Sequence, residues 1–234
     1  APVAVSALNG SPFNIDRAPV LDRSQLNIYF ISIRLGGVGG TDVYTASRPS
    51  VGAPWGAPVV VPGVNSGYHE TGVEVSNDAR TMIIASDRPG GAGGSDLWMC
   101  TRTSTSGPWS TPVPITAVNT SSHERDPSLS GDGLELFFAT NRPGGYGYAI
   151  WSASRSSPTS TAWTNIRQHR DFLGNERPVA VSDDGLRLHY ANDNQLSSLD
   201  LYQVFRWTPA YTFIAPSFRI ISEANSTDNE EEGD

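Results

Sequence analysis

The chain has 234 residues, a formal charge of −8 and an isoelectric point near 4.9, a balance that excludes nucleic acid as a natural partner. Every basic side chain is arginine, so a Schiff-base or phosphate-loop lysine is excluded, and the lone Cys100 excludes an internal disulfide and a thiolate metal cluster. A hydrophobic content of 38% supports a core, 23 Gly and 17 Pro demand many turns, and no apolar run has the length of a transmembrane segment.

In chain order, "APVAVSALN" (1–9) begins without Met, as expected of a mature protein whose signal peptide has been removed. A first unit follows. "APVLDRSQ" (18–25) reads as a short strand and turn, and "LNIYF" (26–30) as a nearly continuous apolar strand. The Gly-rich "SIRLGGVGGTDVY" (32–44) reads as a hairpin running into a third strand, and "APVVVPGVN" (57–65) as an outer segment. The same order returns with "GVEVSNDA", "TMIIA", "SDRPGGAGGSDLW" and "TPVPITAVN", and again with "PSLSGDG", "LELFF" and "TNRPGGYGYAIW". A fourth unit has "PVAVSDDG", "LRLHY", a degenerate "NDNQLSSLDLY" and "SFRIISEAN". Anchored on Asp22, Ser76, Ser130 and Ser182, the spacings are 54, 54 and 52 residues.

Four-stranded antiparallel units repeating at this length predict an all-β β-propeller, four blades of four strands each, with five blades as the alternative. The repeats fall at about 10–65, 66–119, 120–174 and 175–225, inside a single domain covering 1–225. Residues 1–9 match the outer segment of a blade and are expected to close the ring, and the acidic 226–234 is expected to be a solvated tail. The pattern S-x-D-G-x-x-L-x-F … S-x-R-P-G-G-x-G-x-x-D-L-Y/W resembles the WD-repeat-like blades of the TolB type found in periplasmic and secreted bacterial proteins. That resemblance covers nearly the whole chain and implies the fold and a location outside the cytoplasm. It implies little about activity, because such blades serve binders, scaffolds and enzyme accessory domains alike.

The Gly-rich loops lack both the lysine and the following helix that a phosphate cradle needs. They read as hairpins in which Gly90, Gly91, Gly93 and Gly94 supply positive φ and Asp96 accepts backbone N–H groups. The stronger functional candidates lie six residues before each anchor: Asp16, Glu70, Glu124 and Glu176. On a pseudo-fourfold axis these carboxylates would ring the channel mouth, and they require cations among them. Arg17, Arg125 and Arg177 follow three of them directly, and His69 and His123 precede two. One reading pairs each acid with an Arg in inter-blade ion bridges. The other binds a ligand, or a metal on Asp16, Glu70, Glu124 and Glu176: Ca²⁺ or Mg²⁺ if oxygen ligands dominate, Zn²⁺ or another transition metal if His69 and His123 join.

His169 is expected to be solvated, His189 structural, and Trp55, Trp109 and Trp163 part of the packing between blades. The sequons at Asn9, Asn119 and Asn225 recur in register and read as turn chemistry. The function expected is that of a secreted or periplasmic module binding a protein or carbohydrate ligand. A carbohydrate-active enzyme, lyase or hydrolase, is the alternative, although four similar acids suit symmetry better than the unlike pair that glycosidases need.

Overall fold

The computed structural model describes residues 8, 15–143, 147–169, 175–193, 199–206, 208, 213 and 219–220. Among the described residues sixteen strands form four antiparallel four-stranded sheets, each in simple chain order, and these are the four blades of a β-propeller. Blade 1 holds β1 (Asp16–Leu21), β2 (Asn27–Ser32), β3 (Asp42–Ser47) and β4 (Val59–Val60). Blade 2 holds β5 (Glu70–Val75), β6 (Thr81–Ser86), β7 (Asp96–Thr101) and β8 (Val113–Pro114). Blade 3 holds β9 (Glu124–Leu129), β10 (Glu135–Thr140), β11 (Ala149–Ser154) and β12 (Thr164–Gln168). Blade 4 holds β13 (Glu176–Val181), β14 (Arg187–Asp193), β15 (Leu199–Phe205) and β16 (Arg219–Ile220).

The near-continuous apolar runs become second strands buried on both faces. In β6, Met82 and Ile84 face blade 1 while Ile83 and Ala85 face blade 3. Period-two alternation thus feeds two separate interfaces from one strand, which is why the run shows no polar face. A third cluster, including Phe137, Ile150, Leu188 and Tyr202, joins blades 3 and 4.

The S-x-D-G segments turn each first strand into its second. Ser76 and Ser130 each donate from Oγ to the Asp two residues on, and each accepts the backbone N–H of the residue five positions ahead. The fourth turn residue is left-handed in every blade, with φ of 58° at Gln25, 54° at Ala79, 69° at Gly133 and 68° at Gly185. These inner turns converge and narrow one end of the channel. Asn77 Nδ2 donates to the Gly131 carbonyl (2.8 Å) and to Asp183 Oδ1 (3.0 Å), and Arg23 reaches Asp183 at 3.8 Å. A Cβ on Gly131 would lie 2.5 Å from Asp183 Cα, so the approach requires glycine there.

Among the described residues the junction of blade 4 with blade 1 has fewer buried apolar side chains than the other three. Leu21 is 44% exposed where its counterparts Val75 and Leu129 are buried, and Val179 is 54% exposed. Leu8, the described residue of the N-terminal segment, packs on Phe30, Tyr44 and Ala46 of blade 1, while β16 is the outer strand of blade 4. The rest of 1–9, Asn225 and the acidic tail lie outside the described residues.

Candidate functional site

Each sequence-predicted acid is the first residue of an inner strand, at the end of the channel opposite the converging turns. Period two then sends the acid and its chain neighbour to opposite sides of the strand. The acids are therefore not partnered by Arg17, Arg125 or Arg177. Their partners are Arg34, Arg88 and Arg142, eighteen residues ahead in the Gly-rich hairpins: Arg34 Nη2 donates to Asp16 Oδ1 at 2.8 Å, Arg88 Nη2 to Glu70 Oε1 at 2.7 Å, and Arg142 Nη2 to Glu124 Oε1 at 3.1 Å. The same guanidinium groups donate to the carbonyls of Leu8, Val64 and Val118, in the segments entering each blade.

Glu70 is wholly buried and its carboxylate is nearly saturated. Oε1 also accepts from Ser66 Oγ (2.7 Å) and Ser86 Oγ (3.0 Å), and Oε2 accepts from the Ser66 N–H. Glu124 repeats this with Thr120 and Thr140. Glu176 is likewise buried, opposite Asn192 where the other blades place Ser32, Ser86 and Thr140. Carboxylates used in this way are clasps. Among the described residues no three His, Cys, Asp or Glu lie together as a metal-binding group.

His69 and His123 are exposed and lie on the Gly-rich hairpin of the preceding blade. A Cβ on Gly40 would meet the His69 ring at 2.1 Å, and one on Gly94 the His123 ring at 2.2 Å. His123 Nδ1 accepts the Ser95 N–H, and Asn175 takes the equivalent place against Tyr148. The glycines of "SDRPGGAGGSDLW" therefore serve close approach more than unusual dihedrals. Of the four, only Gly90 has positive φ (97°), while Gly93 and Gly94 make room for the next blade. Asp96 does fix the turn, accepting the N–H groups of Ala92 and Gly93.

Arg17, Arg125 and Arg177 share one position on three inner strands, each just beyond the opening acid; Thr71 holds the fourth. Every inner strand carries a bulge here, the device that re-aims a side chain at the end of a pairing. Arg125 stacks on Tyr148 with its guanidinium carbon 3.4 Å from the ring centre, and its Nε faces Asp126 Oδ2 at 3.3 Å. That contact is an ion pair without hydrogen-bond geometry. The Nε atoms of Arg125 and Arg177 and Oδ2 of Asp126 are shielded from solvent and have no hydrogen-bond partner. Desolvation raises the Asp126 carboxyl above its usual range, against the pull of Arg125, Arg177 and Arg17.

Deeper in the channel wall, Glu74 keeps slight solvent contact yet is pushed up to about 8 by desolvation, relieved only by the N–H of Leu129 at 3.2 Å. The folded value lies above the unfolded one, so the folded state binds the extra proton between them. Stability from this group is full below about pH 4.5 and is lost as pH rises toward 8. Glu74→Gln is expected to flatten that part of the stability profile and to add roughly 1–3 kcal/mol near pH 8. Urea titrations at pH 5, 6.5 and 8 read this directly, and a wild-type slope retained in the variant would assign the dependence elsewhere.

His169 is the main departure among the aromatics: it is buried, not solvated, between Phe137 and Phe213. Ser152 Oγ lies 2.9 Å from its Nε2 and donates to Glu135 at 3.2 Å. This has the cast of a catalytic triad but not its polarity. The serine proton points to the carboxylate, Nδ1 accepts the Phe213 N–H, and desolvation drives the imidazole down to about 3. Cys100 is also inert, buried and pushed up to about 12 by desolvation.

The recurring Trp residues support arginines at the ends of the third strands: Arg48 on Trp55 (4.3 Å), Arg102 on Trp109 (4.2 Å) and Arg155 on Trp163 (4.8 Å). Asn119 is buried, with both amide atoms bonded to the backbone of Leu97 in β7. A groove of about 660 Å³ between blades 3 and 4 is lined by Glu135, Arg155, Arg167 and Arg206 among others, and Glu135 holds Arg167 and Arg206 in ion pairs.

No family model matches this chain, and no curated protein matches it in sequence. Solved structures do match in fold. TolB from Acinetobacter baumannii superposes with a TM-score of 0.59 at 14% identity, over 89% of this chain and 44% of its own. A TolB-like protein from Agrobacterium tumefaciens gives 0.52 at 18%, over 82% of this chain and 58% of its own. The Hadza microbial sialidase Hz136 gives 0.56 at 12%, over 92% and 47%. The chain spans about half the length of these proteins. At such identities the likeness establishes the propeller fold alone.

Proposed function

We propose that this protein is a secreted or periplasmic binding module that takes a protein or carbohydrate ligand at the open end of its central channel. The observation that carries this is a contrast within the inner strands. Asp16, Glu70 and Glu124 are consumed by scaffold clasps, whereas Arg17, Arg125 and Arg177 face a shared space with Asp126 among them. Polar side chains held on rigid strands and left with unused donors are what a recognition site requires. The fold likeness to TolB supports the location. A divalent cation is disfavoured at this mouth, because three guanidinium groups repel it.

The test is to probe the immobilised chain with glycan and peptide arrays, alongside Arg177→Ala. A ligand captured by the wild type is expected to be lost from the variant. Capture undiminished by Arg177→Ala, or steady release of a cleaved product from a bound glycan, would overturn the reading.

A further inference from the structure

We propose that the channel mouth is a carboxylate-binding site, in which Arg17, Arg125 and Arg177 receive a small organic or sugar acid beside Asp126. The proposal deepens the binding-module reading and rests on it. The three arginines occupy the same strand position in blades 1, 3 and 4, so the propeller's own symmetry gathers them round one axis. Three of the four acids just outside them add little opposing charge, since Asp16, Glu70 and Glu124 are each neutralised by a hairpin arginine. Three positive groups then surround one negative group, and an additional anion improves that balance.

Geometry adds to charge. The guanidinium of Arg125 is held flat against Tyr148, which leaves its donating edge free to be presented to a planar acceptor. The Nε atoms of Arg125 and Arg177 have no hydrogen-bond partner although water does not reach them. Asp126 shows what the space accepts. Its carboxylate sits against Arg125 without making a good hydrogen bond, a resident group of the right chemistry in imperfect geometry. Thr71, the fourth residue of the ring, stands where a fourth arginine would; its hydroxyl donates to the Ala85 carbonyl and keeps its lone pairs to accept, which suits a ligand carrying both a carboxylate and a neutral donor.

Asp126 makes the proposal testable in two directions. Its φ is 50°, a conformation that asparagine tolerates better than any other non-glycine residue, so Asp126→Asn keeps the bulge and removes the competing charge. Calorimetric titration of the full chain with succinate and with galacturonate is the experiment, with succinamide and inorganic phosphate as controls. At least one carboxylate is expected to bind and succinamide is not. Arg125→Gln and Arg177→Gln are expected to weaken binding ten-fold or more with the unfolding midpoint held within a few degrees, and Asp126→Asn to strengthen it at least three-fold. Tighter binding of succinate identifies free organic acids as the source, and tighter binding of galacturonate identifies sugar acids. Phosphate binding as tight as either carboxylate, no effect of the arginine variants, or weaker binding by Asp126→Asn would overturn the proposal. If neither acid binds while the arrays still yield an Arg177-dependent ligand, the carboxylate assignment fails and the binding-module reading stands.

Discussion

Glu70→Ala is expected to lower the unfolding free energy by roughly 3–5 kcal/mol, the cost of removing one partner from a buried ion pair. The Arg88 side chain is only 11% exposed and would be left facing the hydroxyls of Ser66 and Ser86 with its carboxylate gone. Arg88→Ala is expected to cost about as much, since it strips the wholly buried Glu70 of its paired cation and frees the Val64 carbonyl. Removing both together is expected to cost distinctly less than the two losses added, because neither charge is then left alone. Asp16→Ala gives the internal comparison. Its side chain is 20% exposed, so that variant is expected to lose no more than about 1 kcal/mol. Denaturant titration of the four variants decides it. A loss below about 1 kcal/mol for Glu70→Ala would mean that the clasp does not hold the blades.

These pairs also show which parts of the site could be read from sequence. The propeller was legible because four anchors at 54, 54 and 52 residues dictate one supersecondary unit. The acids were legible from the same ruler. Their partners were misread because proximity in sequence was taken for proximity in space. In a strand the residue after an acid faces away from it, and the true partner sits across a hairpin eighteen residues on. The S/T-x-R that opens each of the first three Gly-rich loops held the correct signal. The glycines were assigned to the right turn for an incomplete reason, because the ring that presses on Gly94 belongs to the next blade. Glu74 and Asp126 were missed altogether. Both are charges that break the repeat at inner-strand positions where the other blades place Val20, Ser128 and Ala180, or Ala18, Gly72 and Pro178. His169 defied expectation because β12 has five residues where β4 and β8 have two, which carries the imidazole in beneath Phe213.

Arg206→Met is the second substitution with a large expected effect, and it acts at a junction with no equivalent elsewhere in the ring. Both terminal nitrogens of Arg206 reach the Glu135 carboxylate across blades 3 and 4, Nε donates to the Gly185 carbonyl at 2.6 Å, and the guanidinium stacks on Phe213 at 4.7 Å. Among the described residues, Arg102 and Arg155 reach across their own junctions by hydrogen bonds to hydroxyls, Arg102 to Tyr29 and Arg155 to Thr81, each at 3.4 Å. Methionine retains much of the apolar contact but leaves Glu135 with Arg167 alone, so a loss of roughly 3–5 kcal/mol is expected. Because a buried pair replaced as a unit by apolar residues is often close to neutral, Arg206→Met combined with Glu135→Leu is expected to recover most of that loss. Hydrogen exchange then locates the effect. In the single variant the amides of β13 to β15 are expected to lose protection before those of β5 to β7, since the pair ties blade 4 to the rest at its better-packed edge. Uniform loss across all blades, or a double variant less stable than the single one, would show that Glu135 and Arg206 do not act as one clasp.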